Sequence, residues 1–373
     1  MTETHKPKWT PENAGNEFAC RVMKGVDGGH DGMDEKKIET KKFRKRKHLS
    51  IDELAEGILK RDKVILAQAI TLIESNAFKH QEKAQELLKK IMPYAGKSIR
   101  IGITGVPGAG KSTFIEAFGN LLIDLGHKVA VLAVDPSSSV TKGSILGDKT
   151  RMETLARNDN CFIRPSPSSG TLGGVHRKTR ESMLACEASG FDVILVETVG
   201  VGQSEVTVRS MVDFFLLLKI SGAGDELQGI KKGVIELADS ILINKADGAN
   251  KIYAETAREE FDRALHYLKP ATCGWTPHAY TCSALHKTGL KEIWEVIKKF
   301  IAMTKENKTF ELRRREQVME WVDSMVKDYL YSGFYNNPEI IKHFPLIKKH
   351  VEDGIVPPTK AVRTLIDIYN RKQ

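Results

Sequence analysis

The chain has 373 residues, 41% of them hydrophobic and 28% charged, with a formal net charge of +9. That length and mix suit one large globular domain or a main domain with appendages. No run approaches the roughly 18 apolar residues of a membrane span, and five cysteines without a CxxC pair argue against a disulfide framework or closed zinc site, and for a reducing cytosol.

Residues 1–48 are polar and glycine-rich, then acidic, then basic through Lys41–Lys47, and read as an extension of the fold. Their start lacks the apolar core of a signal peptide and carries the early acids Glu3, Glu12 and Glu17 that transit peptides avoid, so a cytoplasmic protein is expected. Residues 49–96 read as a helical N-terminal subdomain. Ser50 with Glu53 makes a capping box, and apolar stripes follow at Leu54 and Ile58, then Val64, Ala67, Ile70 and Ile73, then Ala84, Leu87, Leu88 and Ile91.

From Ser98 the pattern changes to short apolar runs alternating with helical stretches. The runs are Ile99–Thr104, Lys128–Val134, Cys161–Arg164, Phe191–Glu197, Phe214–Ile220, Ser240–Asn244 and His278–Cys282. Runs so short and continuously apolar fit strands buried on both faces, which predicts an α/β fold with a mostly parallel sheet flanked by helices over residues 97–305. Residues 306–373 turn helical again, with Leu312, Val318, Trp321, Val322, Met325, Val326 and Tyr329 at helical spacing, a stripe that belongs to a core or an oligomer surface. Arg313-Arg314-Arg315 reads as a solvated helix face. Without an aromatic-interleaved module beside it, no nucleic-acid partner is expected.

Three motifs carry chemistry. Gly105-Val106-Pro107-Gly108-Ala109-Gly110-Lys111-Ser112-Thr113 matches the phosphate loop GxxxxGK[ST] between a strand and a helix, and assigns the fold to the P-loop NTPases. Its backbone N–H groups and the helix N-terminus suit phosphate oxygens, Lys111 suits the β- and γ-phosphates, and the Ser112 hydroxyl suits magnesium. Asn244-Lys245-Ala246-Asp247 follows an apolar run. The Asp247 carboxylate can accept the N1–H and exocyclic amine of guanine, a donor pair that adenine lacks. Ser283, Ala284 and Leu285 fit a short loop capping the base. Asp135 and Glu197 end apolar runs where open α/β sheets bind ligands, and Asp148 lies in a following loop. Such acids beside a phosphate loop suit magnesium. Gly200 is placed to offer its N–H to the γ-phosphate. Val201 stands where small GTPases carry the water-orienting glutamine, which leaves Gln203 as the candidate and implies slow intrinsic hydrolysis.

The phosphate loop, VDPSS (134–138), ILGDKTRM (145–152), RPSPSSGTLGG (164–174), ETVGVGQSE (197–205) and NKAD (244–247) together resemble one family, over about residues 50–373. It is the methylmalonyl-CoA mutase-associated G proteins, known as MeaB, MMAA or ArgK and also as LAO/AO transport ATPases. The resemblance implies a GTP/GDP- and Mg2+-binding GTPase, slow alone and stimulated by its partner. It also implies a chaperone of the adenosylcobalamin-dependent methylmalonyl-CoA mutase that gates cofactor loading and protects or reactivates the mutase. It further implies a homodimer formed through the C-terminal helices, and magnesium ligation by Ser112, Asp135, Asp148 and Glu197. Residues Ser221–Lys232 resemble a partner-responsive switch, with Lys231 reaching the nucleotide. Two rivals remain at this point. A GTPase metallochaperone needs paired thiols, for which Cys273, His278 and Cys282 are the nearest group. An ArgK-type ATPase or kinase linked to amino-acid transport needs an adenine site.

Overall fold

Side-chain caps start the first two helices. The computed structural model describes residues 49–75, 77–134, 152–166, 172–198, 204–221 and 232–370. Helix α1 (Ile51–Leu59) opens on the expected capping box: Glu53 N–H donates to Ser50 Oγ at 3.1 Å and Ser50 N–H to Glu53 Oε2 at 2.8 Å. Helix α2 (Lys63–Glu74) is capped by Asp62, which accepts from the N–H groups of Val64 and Ile65. Helix α3 (Phe78–Ile91) ends in a 3-10 turn that contains Pro93. The expected stripes are buried except in α2, where Val64 is 66% exposed and Ala67 is half-buried. In α2 the residues at i, i+3, i+4 and i+7 that face inward are Leu66, Ala69, Ile70 and Ile73, which turns Val64 toward solvent.

Seven strands form the sheet: β1 (Ile99–Gly105), β2 (Val129–Val134), β3 (Cys161–Ser166), β4 (Val193–Thr198), β5 (Phe214–Ile220), β6 (Ser240–Asn244) and β7 (Ala279–Thr281). Their order is β3-β2-β4-β1-β5-β6-β7, and every neighbouring pair is parallel. Parallel pairing demands long crossovers, and helices supply them. These are α4 (Lys111–Asp124), α5 (Glu153–Ala156), α6 (Leu172–Ala188), α7 (Ser204–Arg209), α8 (Lys232–Leu237) and α9 (Lys251–His266), and α10 (Leu290–Glu306) follows the last strand. The short helices α7 and α8 have no counterpart in the periodicity, since six residues are too few to show it.

Side-chain alternation along the strands divides the core. Phe214 and Leu216 of β5 join Phe114, Phe118, Trp294 and Phe300 on one face. Phe215 joins Leu132, Ile194, Val196 and Met183 on the other, together with Ile58, Ile70 and Leu87 of the first three helices. Helices α1–α3 therefore share a continuous core with the sheet.

The C-terminal region is three helices, α11 (Thr309–Tyr335), α12 (Pro338–Glu352) and α13 (Pro358–Asn370). Pro338 and Pro358 stand at helix starts, where a missing N–H is harmless. The expected solvated arginine face is corrected here. Arg314 makes a bidentate pair with Asp213, at 2.8 Å from Nε and 2.7 Å from a terminal nitrogen, and donates to the Ser98 carbonyl at 2.7 Å. Arg313 donates to the Asp213 carbonyl at 2.6 Å and to Thr272 Oγ1. Arg315 is exposed, as expected. A charge run in sequence does not reveal which of its members meets an acid from a distant strand end.

Candidate nucleotide site

The site gathers at the C-terminal ends of β1, β4, β6 and β7. β1 runs into the phosphate loop at Gly105. A Cβ there would lie 2.3 Å from the Leu218 carbonyl oxygen of β5, so only glycine fits. Gly110 takes a left-handed φ of +82° to start α4, and a Cβ on it would come 2.7 Å from Asn244 Nδ2. Ala109 is fully buried between these turns, while Pro107, Gly108 and Thr113 face out. The Lys111 ammonium is folded into the loop and donates to the Gly105 carbonyl at 2.8 Å and the Val106 carbonyl at 3.3 Å. Burial pulls this ammonium below its usual range, and the Glu197 and Glu205 carboxylates act against that.

Glu197, near the end of β4, pairs in register with Ile103 of β1 and Ala133 of β2. It is 3% exposed, and its Oε1 accepts from the Ser112 hydroxyl at 3.3 Å. Thr198 donates from its hydroxyl to Thr104 Oγ1 at 2.8 Å, tying the same two strand ends together.

Asn244 is the clamp between the phosphate loop and the base loop. Its Nδ2 donates to the Ala109 carbonyl at 2.9 Å, and its Oδ1 accepts from Ala284 N–H at 3.1 Å and Cys282 Sγ at 3.4 Å. Lys245 takes a left-handed φ of +59°, and its stem passes the phosphate loop beside Gly110. Asp247 Oδ2 accepts from the Ser283 hydroxyl at 2.5 Å. That hydroxyl oxygen also accepts from His286 N–H at 3.1 Å, inside a tight turn closed by paired backbone bonds between Ser283 and Thr288. A carboxylate oriented from behind by a hydroxyl presents its remaining lone pairs to a base edge that offers two donors. Leu285 is 73% exposed at the turn's tip.

Asn250 joins this loop to the chain after β5. It donates from Nδ2 to the Lys245 carbonyl at 2.7 Å and accepts at Oδ1 from the Ser221 hydroxyl at 2.8 Å. The structure thus brings together the phosphate-loop residues, Glu197, the guanine loop and Ser283-Ala284-Leu285. Asp135, Asp148, Gly200, Gln203 and Lys231 lie outside the described residues. Of the group weighed for a metallochaperone, Cys282 is engaged with Asn244 and His278 with Asp262 at 3.1 Å, and Cys273 is exposed.

Two participants escaped the sequence. Glu205 sits 5% exposed in the first turn of α7, with its charge felt by Lys111. The signal was its place inside the ETVGVGQSE string. Thr104, which pairs with Thr198, carried no signal at all.

The family described as methylmalonyl Co-A mutase-associated GTPase MeaB matches residues 66–339. A putative GTPase of Caulobacter vibrioides is 52% identical over 321 residues, covering 86% of this chain and 98% of that protein. The GTPase ArgK of Escherichia coli is 48% identical over 316 residues, covering 85% and 94%. The crystal structure of an LAO/AO transport system kinase matches with a TM-score of 0.70 at 41% identity, covering 85% of this chain and 96% of that one.

Proposed function

The chain belongs to the methylmalonyl-CoA mutase-associated GTPase family, and from that premise we propose that it is a GTP-hydrolysing chaperone of an adenosylcobalamin-dependent methylmalonyl-CoA mutase, gating cofactor loading and protecting or reactivating the enzyme. GTP hydrolysis itself follows from the family and the P-loop fold. The support for this client is the family match, which spans both the phosphate loop and the guanine loop.

The donor set fits magnesium. Ser112 Oγ and Glu197 Oε1 are hard oxygens 3.3 Å apart at the head of the phosphate loop. With Asp135 and Asp148 they form the proposed ligand set. The ion, when bound, would neutralise charge on the phosphate oxygens during transfer. Lys111 binds and orients the β- and γ-phosphates, and Asp247, held by Ser283, selects guanine over adenine. Gly200 is assigned to the γ-phosphate and Gln203 to the attacking water. Lys231, in the segment after Ser221, is assigned to partner-stimulated hydrolysis. The carboxylate at Asp247 disfavours an ATP-using kinase, since adenine would leave it unmatched.

The proposed form is a cytoplasmic homodimer built on 306–373. Its support is a long apolar surface left open on α11 and α12, including Val318, Met319, Tyr329, Leu330, Tyr331 and Ile341, each more than half exposed. No helix among the described residues is long and apolar enough to cross a membrane.

The decisive experiment measures GTP hydrolysis with and without the organism's own methylmalonyl-CoA mutase, with ATP as control. Acceleration by the mutase, lost in Lys231→Ala with GTP affinity intact, is expected. A GTP rate indifferent to the mutase would refute the client while leaving the GTPase untouched.

A further inference from the structure

Arg180 is a buried cation held by neutral oxygens. It lies on α6 and is 8% exposed. One terminal nitrogen donates to the Gln317 carbonyl of α11 at 2.7 Å, and the other to the Ser210 carbonyl at 2.6 Å and Ser210 Oγ at 2.8 Å. Ser210 directly follows α7, and its hydroxyl donates back to the Thr207 carbonyl at 2.8 Å. The guanidinium also lies 5.7 Å from the ring centre of Trp321, one turn beyond Gln317. Burial, and then the positive charge of Arg100, pull the Arg180 guanidinium down to about 10, so it is still charged at neutral pH.

The two ends of α7 therefore face two different structures. Its first turn carries Glu205, whose carboxylate favours the charged form of Lys111. Six residues at about 1.5 Å each make a rod of roughly 9 Å. Its last residue, Arg209, donates to Asp239 at 3.4 Å and Thr272 at 3.3 Å, and just beyond it the Val212 carbonyl accepts from Gln317 Nε2 at 2.8 Å. Only five residues of chain separate Thr198, at the phosphate end of β4, from the start of α7.

We propose that Arg180 is a positioning residue for GTP hydrolysis, clasping the far end of α7 to α11 so that the nucleotide site and the C-terminal helices shift together. This requires GTP binding alone and stands apart from the identity of the client. A lysine cannot take the place of the fork, because one ammonium cannot bridge Ser210 and Gln317 while stacking on Trp321.

The test uses the full chain, GDP and a non-hydrolysable GTP analogue. Trp321 is one of four tryptophans, so its emission is isolated as the difference between the wild-type protein and Trp321→Phe. We expect that emission to differ between the two nucleotides. In Arg180→Lys the difference disappears, and kcat falls roughly fivefold with KM kept within about twofold, because the loosened clasp positions the site less well while substrate binding is kept. Should Arg180→Lys fail to fold, Ser210→Ala removes the hydroxyl contact alone, with a weakened Trp321 response and a kcat fall of about twofold. Trp321 emission indifferent to nucleotide in the wild-type protein overturns the proposal. So does a folded variant that keeps the wild-type response or the wild-type kcat.

Discussion

Helices α10 and α11 are consecutive in the chain and attached by opposite means. The 17 residues of α10 bury Leu290, Ile293, Trp294, Val296, Ile297, Phe300, Ile301 and Thr304. The 27 residues of α11 bury Gln317 alone. Helix α10 is held by apolar area and close packing, with Phe300 edge-on to both Phe214 and Trp275 at about 5 Å between ring centres. Helix α11 is held by oriented polar bonds: Arg313 and Arg314 to Asp213 and Thr272, Gln317 to Val212, and Arg180 reaching across from α6. Phe310 packs on the sheet core and Phe334 and Tyr335 meet Tyr369 of α13 and Phe344 of α12, while Val318, Met319, Tyr329 and Leu330 stay more than half exposed. A helix docked this way has a defined seat without being part of the core.

The comparison can be broken or sharpened by measurement. The largest effect lies at the site itself: Lys111→Ala is expected to abolish tight nucleotide binding, read by titration with fluorescent GTP, because the phosphates lose their only lysine in the loop. Unaltered affinity would remove the phosphate-loop assignment. Next, Phe300→Ala in α10 should cost about 3–5 kcal/mol of unfolding free energy in denaturant melts, the price of a large cavity. A cost under about 1 kcal/mol would mean that α10 is not core. Asp247→Asn turns an acceptor into a mixed donor–acceptor and should weaken GTP by roughly 3 kcal/mol while favouring xanthine nucleotides. An unchanged GTP-to-XTP ratio counts against the guanine loop.

The seat of α11 should show an acid limb. Burial would raise the Glu187 carboxyl, but Arg100, Ser98 and the Gly96 N–H outweigh it and hold it below the usual range. The folded value is thus lower than the unfolded one. The stabilisation is complete above the unfolded value of about 4.3 and is lost as pH falls through the folded value. Glu187→Gln should flatten that acid limb in melts taken from neutral pH downward; an identical pH profile in both proteins would contradict it. The smallest effect belongs to the arm. Val326→Ala, on the exposed face of α11, should move monomer stability by no more than about 0.5 kcal/mol yet weaken self-association in sedimentation. A large loss of stability in the monomer would place Val326 in a core after all.

Much of this molecule was legible from residues alone. Each of the seven apolar runs became a strand, because strands buried on both faces of a parallel sheet need unbroken apolar sequence. The GxxxxGK[ST] and NKAD strings were legible because each lies in a few contiguous residues, and the structure brings the two together. Val64 was misplaced because a two-residue shift of a helical stripe turns it through about 200°. Arg313 and Arg314 were misjudged because their partner, Asp213, is 100 residues away. Glu205, Thr104 and Arg180 were passed over because each acts through groups supplied by a different element.

By itself the sequence determined the α/β class and the family, and it offered the phosphate-loop and NKAD strings as the candidate site, all of which reside in local strings and periodicities. The tertiary structure alone decided the strand order that brings Asn244 against Ala109, the oriented pair of Ser283 and Asp247, and the polar seat of α11. Those depend on which distant groups meet with their hydrogen bonds satisfied, and no single stretch of chain carries that information.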